Sequence, residues 1–441
     1  MWQGGTDPRV IIADSPMTLR QKVVVGLCVI LNGLDGFDVL SVSFAAPGIS
    51  KEWGIERAAL GIVLSMELVG MAVGSIALGQ LADRIGRRAT TLFCLALMTV
   101  GMVLAALSTS PFLLGLIRFV TGLGIGGLLA SISALAAGAS STRTRTMSVA
   151  LMAAGYPLGA VVGGAISSQL LAGGDWRHVF YLGAALTAVL LPVAAFILPE
   201  GFDTLMRRKS GAARLDAVNR SLKMLGHQPI EEVADVAATD RPAFAALFAP
   251  PLRALTLLLT SAYFLHMMSF YFMLKWIPKI VADLGIPASQ AASVLVWANV
   301  GGVIGSFGLS FMTARFSLRG LMIAVLSTSS IFLVLFGNAP ATLPALSWAA
   351  AAAGFSTNAV IVGLYALIAA SYPPHLRGGG TGLVIGLGRG GAALGPIVGG
   401  LLFSAGLDRA AVALVMASGS ALAVLAVLQL FRSKALAGGQ I

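Results

Sequence analysis

Two aspartates three residues apart, Asp35 and Asp38, stand in the stretch Leu31 to Pro47, which is otherwise apolar and belongs to a run long enough to cross a bilayer. A charged Asp at the centre of a membrane helix costs roughly 2.5–3.5 kcal/mol even on lenient insertion scales, so such residues face a bundle interior or a watery cavity and point to function. The i, i+3 spacing puts both carboxylates and Asn32 on one helical face, where they meet the same cavity. Proton uptake and release is the chemistry this predicts. The structural alternative is that they cap a broken helix or pair with a buried arginine, since Gly33 and Gly36 loosen the turn around them.

Other ionisable residues fall at a similar depth. At about 1.5 Å of rise per residue, Glu67, His266 and Arg389 lie, like Asp35, about nine to twelve residues from a membrane face, with Asp38 and Arg118 somewhat nearer the outside. Residues so clustered, from helices of both halves of the chain, are what one polar cavity requires. Arg389 is the candidate for an anionic substrate, because a planar guanidinium binds a carboxylate through two parallel hydrogen bonds and keeps its charge; its alternative is a buried pair with Asp35 or Glu67. Arg118 is expected to organise protonation of its neighbours, and Glu67 is a stronger proton site than His266, which could relay protons but reads more readily as a satisfied structural histidine. Lys275, placed near the outer mouth, is expected to steer anions or to snorkel. Flat surfaces for a ring come from Phe37, Tyr156, Phe270, Tyr271, Trp276, Trp297 and Tyr365, with Asn299 or Asn358 for ring hydroxyls, although aromatics fill any membrane core.

The elements that hold these residues follow from composition. With 57% hydrophobic and 11% charged residues among 441, the chain is far from soluble composition, where about a quarter of residues are charged. Apolar runs predict an all-α membrane protein of twelve spans, at 23–47, 58–81, 89–108, 112–138, 146–171, 178–198, 254–278, 288–312, 319–337, 343–371, 378–404 and 409–431. The net charge of +11 is a topology signal: with both termini inside, one set of loops holds most of the Arg and Lys, and the other holds Lys51, Arg57, Arg177, Lys279 and Arg409. No nucleic-acid partner is therefore expected. Cys28 and Cys94 lie within apolar spans, which predicts neither a disulfide nor a metal site, and no cofactor is expected. The first apolar run is too long for a signal-peptide core and is expected to stay in the mature chain.

The polar stretch 200–253 divides the spans six and six, giving a tail at 1–22, bundles at 23–199 and 254–431, a linker at 200–253 and a tail at 432–441. The halves echo each other. Gly70, Gly74 and Ser75 align with Gly301, Gly305 and Ser306, and Gly155, Gly159, Gly163 and Gly164 with Gly391, Gly395, Gly399 and Gly400, both without gaps. Two six-span repeats place a substrate site near the midplane between them. Small residues every four positions let helices pack closely.

Between the second and third spans runs Gly79-Gln-Leu-Ala-Asp83-Arg84-Ile-Gly86-Arg87-Arg88. This resembles the signature loop of the major facilitator superfamily. Arg118-Phe-Val-Thr-Gly122-Leu-Gly124-Ile-Gly126 and Gly155-Tyr-Pro157-Leu-Gly159 are similar to its fourth- and fifth-helix motifs. Within it, Asp35-Gly36-Phe37-Asp38, Tyr271 to Pro278 and Gly388-Arg389 to Pro396 resemble the aromatic acid:proton symporters, of the hydroxybenzoate, protocatechuate and gentisate type, over nearly the whole chain. The resemblance implies the major facilitator fold and import of an aromatic carboxylate with protons by alternating access. It implies coupling at Asp35 and Asp38, a cytoplasmic gate at Gly79, Asp83, Arg84, Gly86, Arg87 and Arg88, and an arginine in the substrate region at Arg389. It also implies a bacterial inner membrane with both termini cytoplasmic and no obligate protein partner. Two positions depart from the pattern: the fourth span ends Ala136-Ala-Gly-Ala-Ser140, without an acidic residue, and Ala314 stands where the second half would repeat Asp83. The alternatives are a porter of the same fold for sugars, aliphatic acids or drug efflux, and a membrane-embedded sensor or enzyme. For the last, the sequence offers no nucleotide-binding loop, no His-Glu-x-x-His and no convincing nucleophile elbow.

Overall fold

The computed structural model describes residues 7–208, 210–234, 244–313, 315–373 and 376–432, with the side chains of residues 83, 208, 244, 245, 251 and 378 outside the description. Twelve helices are long and apolar enough to cross a membrane. They are α1 Leu19–Trp53, α2 Arg57–Ile85, α3 Arg87–Ala106, α4 Pro111–Gly138, α5 Arg145–Leu170, α6 Arg177–Ile197, α7 Pro250–Asp283, α8 Ala288–Met312, α9 Leu318–Asn338, α10 Leu343–Ser371, α11 Arg377–Ser404 and α12 Arg409–Arg432. This is a multi-pass membrane protein.

Polar punctuation sets the helix ends. Thr18 opens α1 with a capping box, accepting from the Gln21 amide at 3.1 Å while Gln21 Oε1 accepts from the Thr18 amide at 2.8 Å. Gly86, at φ +108°, lets the chain turn from α2 into α3 with no second loop residue. Two helices run well past their apolar runs. α1 continues to Trp53, and α7 continues through Pro278 to Asp283, where Lys279 and Asp283 pair one turn apart. Polar residues at a bilayer edge are compatible with helix, so hydropathy trims such ends.

Helix packing repeats between halves. Gly155 and Gly159 of α5 lie against the backbones of Val29 and Gly33 in α1, as Gly391 and Gly395 of α11 lie against Phe264 and Met268 in α7. Likewise Gly70 and Gly74 of α2 meet Phe119 and Leu123 of α4, as Gly301 and Gly305 of α8 meet Ala351 and Phe355 of α10. The two glycine registers of the sequence are thus two sets of helix crossings. At the tightest, a Cβ on Gly159 overlaps the Gly33 backbone, which is itself fixed in α1. Gly159→Val is expected to destabilise the first bundle by about 1–3 kcal/mol or more, read as a lower unfolding temperature in detergent; an unchanged temperature would show that α1 and α5 can part without loss.

The two bundles meet as a V. We call the end carrying the start of α1 and the end of α12 the terminal end and the other the distal end. Gly61 of α2 lies against Pro396 and Gly400 of α11, and Gly400 against Arg57 and Gly61. About five turns further along the same faces, Gly79 of α2 and Gly382 of α11 have nothing within 4 Å of where a Cβ would sit. The polar contacts across the seam agree with this divergence. Arg57 pairs with Asp283 at 3.2 Å, the Ala58 amide donates to Ser404 Oγ at 2.9 Å, and Ser168 Oγ donates to the Ser289 carbonyl at 2.6 Å, all near distal helix ends. Seam closed distally, cleft open toward the termini: this is the state of the molecule.

At the terminal end, helices Phe202–Arg208 and Gly211–Leu225 strap the first bundle. Arg9 pairs with Asp203 at 2.9 Å, Thr18 Oγ donates to the Leu225 carbonyl at 2.5 Å, and Arg20 Nη1 donates to the Lys223 carbonyl at 2.6 Å.

Candidate substrate and ion site

Helix α1 sends its two aspartates to different surroundings. Asp38 Oδ1 accepts from Arg118 Nη2 of α4 at 2.9 Å, and the same nitrogen donates to the Asp38 carbonyl at 2.9 Å and to Glu67 Oε1 of α2. Phe180 of α6 lies 5.6 Å from the guanidinium carbon, and Met102 Sδ lies 3.2 Å from Nη1. From the other bundle, Lys275 Nζ of α7 donates to Glu67 Oε2 at 3.3 Å and to the Val39 carbonyl. All four ionisable side chains have zero exposure. Two cations and two carboxylates therefore balance in a buried cluster, the arrangement that makes buried charge tolerable.

Lys275 corrects an expectation. The sequence placed it near an outer mouth because the apolar run ends at Pro278; the helix continues to Asp283, which puts Lys275 about two turns inside and into the charge network.

Asp35 stands apart. It is fully buried, and neither carboxylate oxygen has a hydrogen-bond partner. The charges within electrostatic reach are Asp38, Glu67 and Arg389. Tyr156 of α5 and Tyr271 of α7 lie within electrostatic reach of it and of each other. Arg389, on α11 of the second bundle, is half-buried and donates through Nη1 to the Met71 carbonyl of α2 at 3.3 Å, leaving the other donors of its fork uncommitted. Tyr263 and Tyr271 lie within reach of that guanidinium. The Tyr263 ring stacks on Tyr365, centroids 6.0 Å apart and hydroxyls 3.3 Å apart. A buried carboxylate, an arginine fork and tyrosine faces thus converge where the halves meet. The sequence reading missed Tyr263, whose ring packs over Gly388 of α11, next to Arg389.

Several expected site residues go elsewhere. Asn32 spends its amide on the Met152 carbonyl at 2.7 Å, tying α1 to α5. Phe37 fills the space over Gly163 and is 2% exposed, so it is core of the first bundle. His266 is buried in the second bundle between Ser420 Oγ at 2.9 Å and the Thr357 carbonyl at 3.0 Å, a satisfied structural histidine, with Phe270 stacked beside it. Phe270 also meets Tyr271 edge-on at 5.1 Å and so backs the cavity tyrosine. Asn299 and Asn358 donate to carbonyls of their own helices, Leu295 and Gly354. Trp297 is 50% exposed, one turn before Gly301, whose backbone meets α10. Trp276 is buried, its indole N–H on the Pro396 carbonyl at 3.0 Å, rather than an interfacial anchor.

Of the loop between α2 and α3, Arg88 donates through Nη2 to the Ala195 carbonyl at 2.6 Å and through its amide to Glu200 Oε1 at 3.3 Å, and Gly86 packs on that carboxylate. Arg84 is exposed and Gly79 faces open space. The Asp83 side chain and Ala314 lie outside the described residues.

The charge cluster is not repeated. By the glycine crossings, Asp38, Glu67 and Arg118 correspond to Met273, Ala298 and Ala350, and Arg389 corresponds to Ala153. One bundle carries the carboxylates, the other the arginine of the junction, Arg389.

A family model described as Major Facilitator Superfamily matches residues 28–279 and again 259–440, so both halves fit one pattern. The chain belongs to the Major Facilitator Superfamily. Among superfamily members with curated descriptions, a 4-hydroxybenzoate transporter of Pseudomonas aeruginosa is 30% identical over 429 residues, covering 96% of this chain and 95% of its own. A gallate transporter of Pseudomonas putida is 28% identical over 400 residues, covering 90% and 88%. Among solved structures, the nucleoside transporter NupG superposes with a TM-score of 0.70 at 15% identity, covering 92% of this chain and all of that one. That superposition shows the superfamily fold alone.

Proposed function

We propose that this transporter imports an aromatic monocarboxylate together with protons, by alternating access, across a bacterial inner membrane with its termini in the cytoplasm. One observation carries the reading: Asp35, buried without a hydrogen-bond partner, shares a tyrosine-lined junction between the bundles with Arg389. The relatives named for 4-hydroxybenzoate and gallate support the substrate class. The basic loops at the terminal end support the orientation.

Arg389 holds the substrate carboxylate, and Tyr156, Tyr263 and Tyr271 offer faces and hydroxyls to the ring. The same arginine links anion to proton. While a carboxylate occupies it, the guanidinium is neutralised and Asp35 keeps a proton; when the acid leaves, the freed cation stabilises the Asp35 anion and the proton leaves too. The V described above is the inward-open state. The loop from Gly79 to Arg88 closes the terminal end in the opposite state.

Purified protein in liposomes is expected to take up labelled 4-hydroxybenzoate, with competition from benzoate and gallate but not from sugars or nucleosides. Arg389→Gln raises KM about 30-fold or more, since an anion loses its charged partner. Uptake of a neutral solute, or an unchanged KM in Arg389→Gln, contradicts the reading.

A further inference from the structure

Lys275 belongs to one bundle and its partners to the other. Its Nζ reaches across the seam to Glu67 Oε2 at 3.3 Å and to the Val39 carbonyl, at zero exposure. The charged groups around Glu67 are Asp35 and Asp38 on α1, Arg118 on α4, Lys275 on α7 and Arg389 on α11. Within the hydrogen-bonded cluster of Asp38, Glu67, Arg118 and Lys275, charge balances only while Lys275 is present. The seam it crosses is the closed one, sealed further out by Arg57 with Asp283 and by Gly61 with Gly400. Opening the distal side has to withdraw Lys275 with α7. The first bundle then keeps two carboxylates and one arginine, a buried net negative charge that is costly unless a proton neutralises it.

We propose that Lys275 is a mobile counter-cation that makes Glu67 a second proton site, filled from the distal side when the seam is open and emptied when the seam closes. The O–H bond formed on Glu67 breaks as Nζ returns to the carboxylate. The distal side is shut by then, so the released proton leaves through the cleft at the terminal end, past Asp35. This rests on the proton-coupled reading above and adds one proton to the one carried by Asp35. Two protons with one monoanion move one positive charge inward per cycle, so the membrane potential drives transport.

The test uses liposomes at equal pH on both sides with an imposed inside-negative potential, and separately a pH gradient without potential. At about 100 mV, wild-type protein accumulates the aromatic acid up to on the order of fiftyfold, and under a pH gradient about tenfold per unit for each proton. Lys275→Met leaves Glu67 protonated throughout, so the response to potential disappears while that to the pH gradient persists. Lys275→Arg keeps both. Wild-type accumulation that follows the pH gradient but ignores potential overturns the second proton and leaves the parent reading standing. Potential-driven accumulation in Lys275→Met overturns it as well. So does loss of both responses and of substrate exchange in Lys275→Met, which marks a packing role. Wild-type protein that responds to neither gradient removes the parent reading itself.

Discussion

An Asp35→Asn variant is expected to exchange labelled for unlabelled aromatic acid across the membrane at near the wild-type rate, yet to lose one proton's share of pH-driven accumulation. Asparagine matches the shape of a protonated aspartate, so substrate binding and the rocking of the bundles persist; it cannot release the proton that Asp35 releases when Arg389 is vacated. Each pH unit supports about tenfold accumulation per proton, so a gradient of about two units separates wild type from variant by on the order of a hundredfold. Counterflow and gradient-driven uptake in the same proteoliposomes give the comparison. Equal accumulation by both proteins would move proton coupling away from Asp35. Burial without a hydrogen-bond partner singles out this residue, since Asp38 and Glu67 already hold Arg118.

Arg118→Met carries the largest expected cost in stability. It leaves Asp38 and Glu67, both at zero exposure, with Lys275 as their one remaining cation. Breaking a buried pair from one side costs about 3–5 kcal/mol, enough to take a membrane protein of ordinary stability close to unfolding. Thermal unfolding in detergent measures it. The double variant Arg118→Met, Glu67→Gln removes one charge of each sign and recovers much of the loss. A single variant as stable as wild type would mean that water or lipid headgroups reach the cluster. The cation near Phe180 and the Met102 sulfur suit a methionine in volume, so the loss reports charge rather than packing.

The twelve helices and the doubled plan were legible in the sequence, because apolar run length and a four-residue glycine step are local signals that survive in three dimensions. Gly155 and Gly159 fall on α1 for the same reason that Gly391 and Gly395 fall on α7. The buried Asp35 was legible as well, since an acid in an apolar run has few cheap placements. Partner choice was not. Lys275 was misplaced because the polar last turns of α7 do not look membrane-embedded, and its acceptors lie more than two hundred residues away in the chain. The face of Trp297 was not legible for a different reason. Helix α8 is apolar on nearly every side, so no polar stripe tells the cavity face from the outer one. His266 and Asn32 were read as site groups when their hydrogen bonds are spent on holding helices together.

The division between bundles has a mechanical consequence. The first bundle holds Asp35, Asp38, Glu67 and Arg118, while the second, at the corresponding positions, holds Phe270, Met273, Ala298 and Ala350. Arg389 and Lys275 are cations of the second bundle at this junction, one within electrostatic reach of Asp35, the other paired with Glu67. Movement of one bundle against the other therefore changes the electrostatic surroundings of both carboxylates at once.

The most direct test of proton-coupled aromatic acid transport is the luminal pH of proteoliposomes, followed with a trapped dye as 4-hydroxybenzoate is added outside at equal starting pH. Wild-type protein is expected to acidify the lumen well above the rate of protein-free vesicles, which report passive entry of the neutral acid, and Asp35→Asn to bring in fewer protons per labelled substrate than wild type. Labelled substrate entering through wild-type protein with no acidification beyond protein-free vesicles would contradict it.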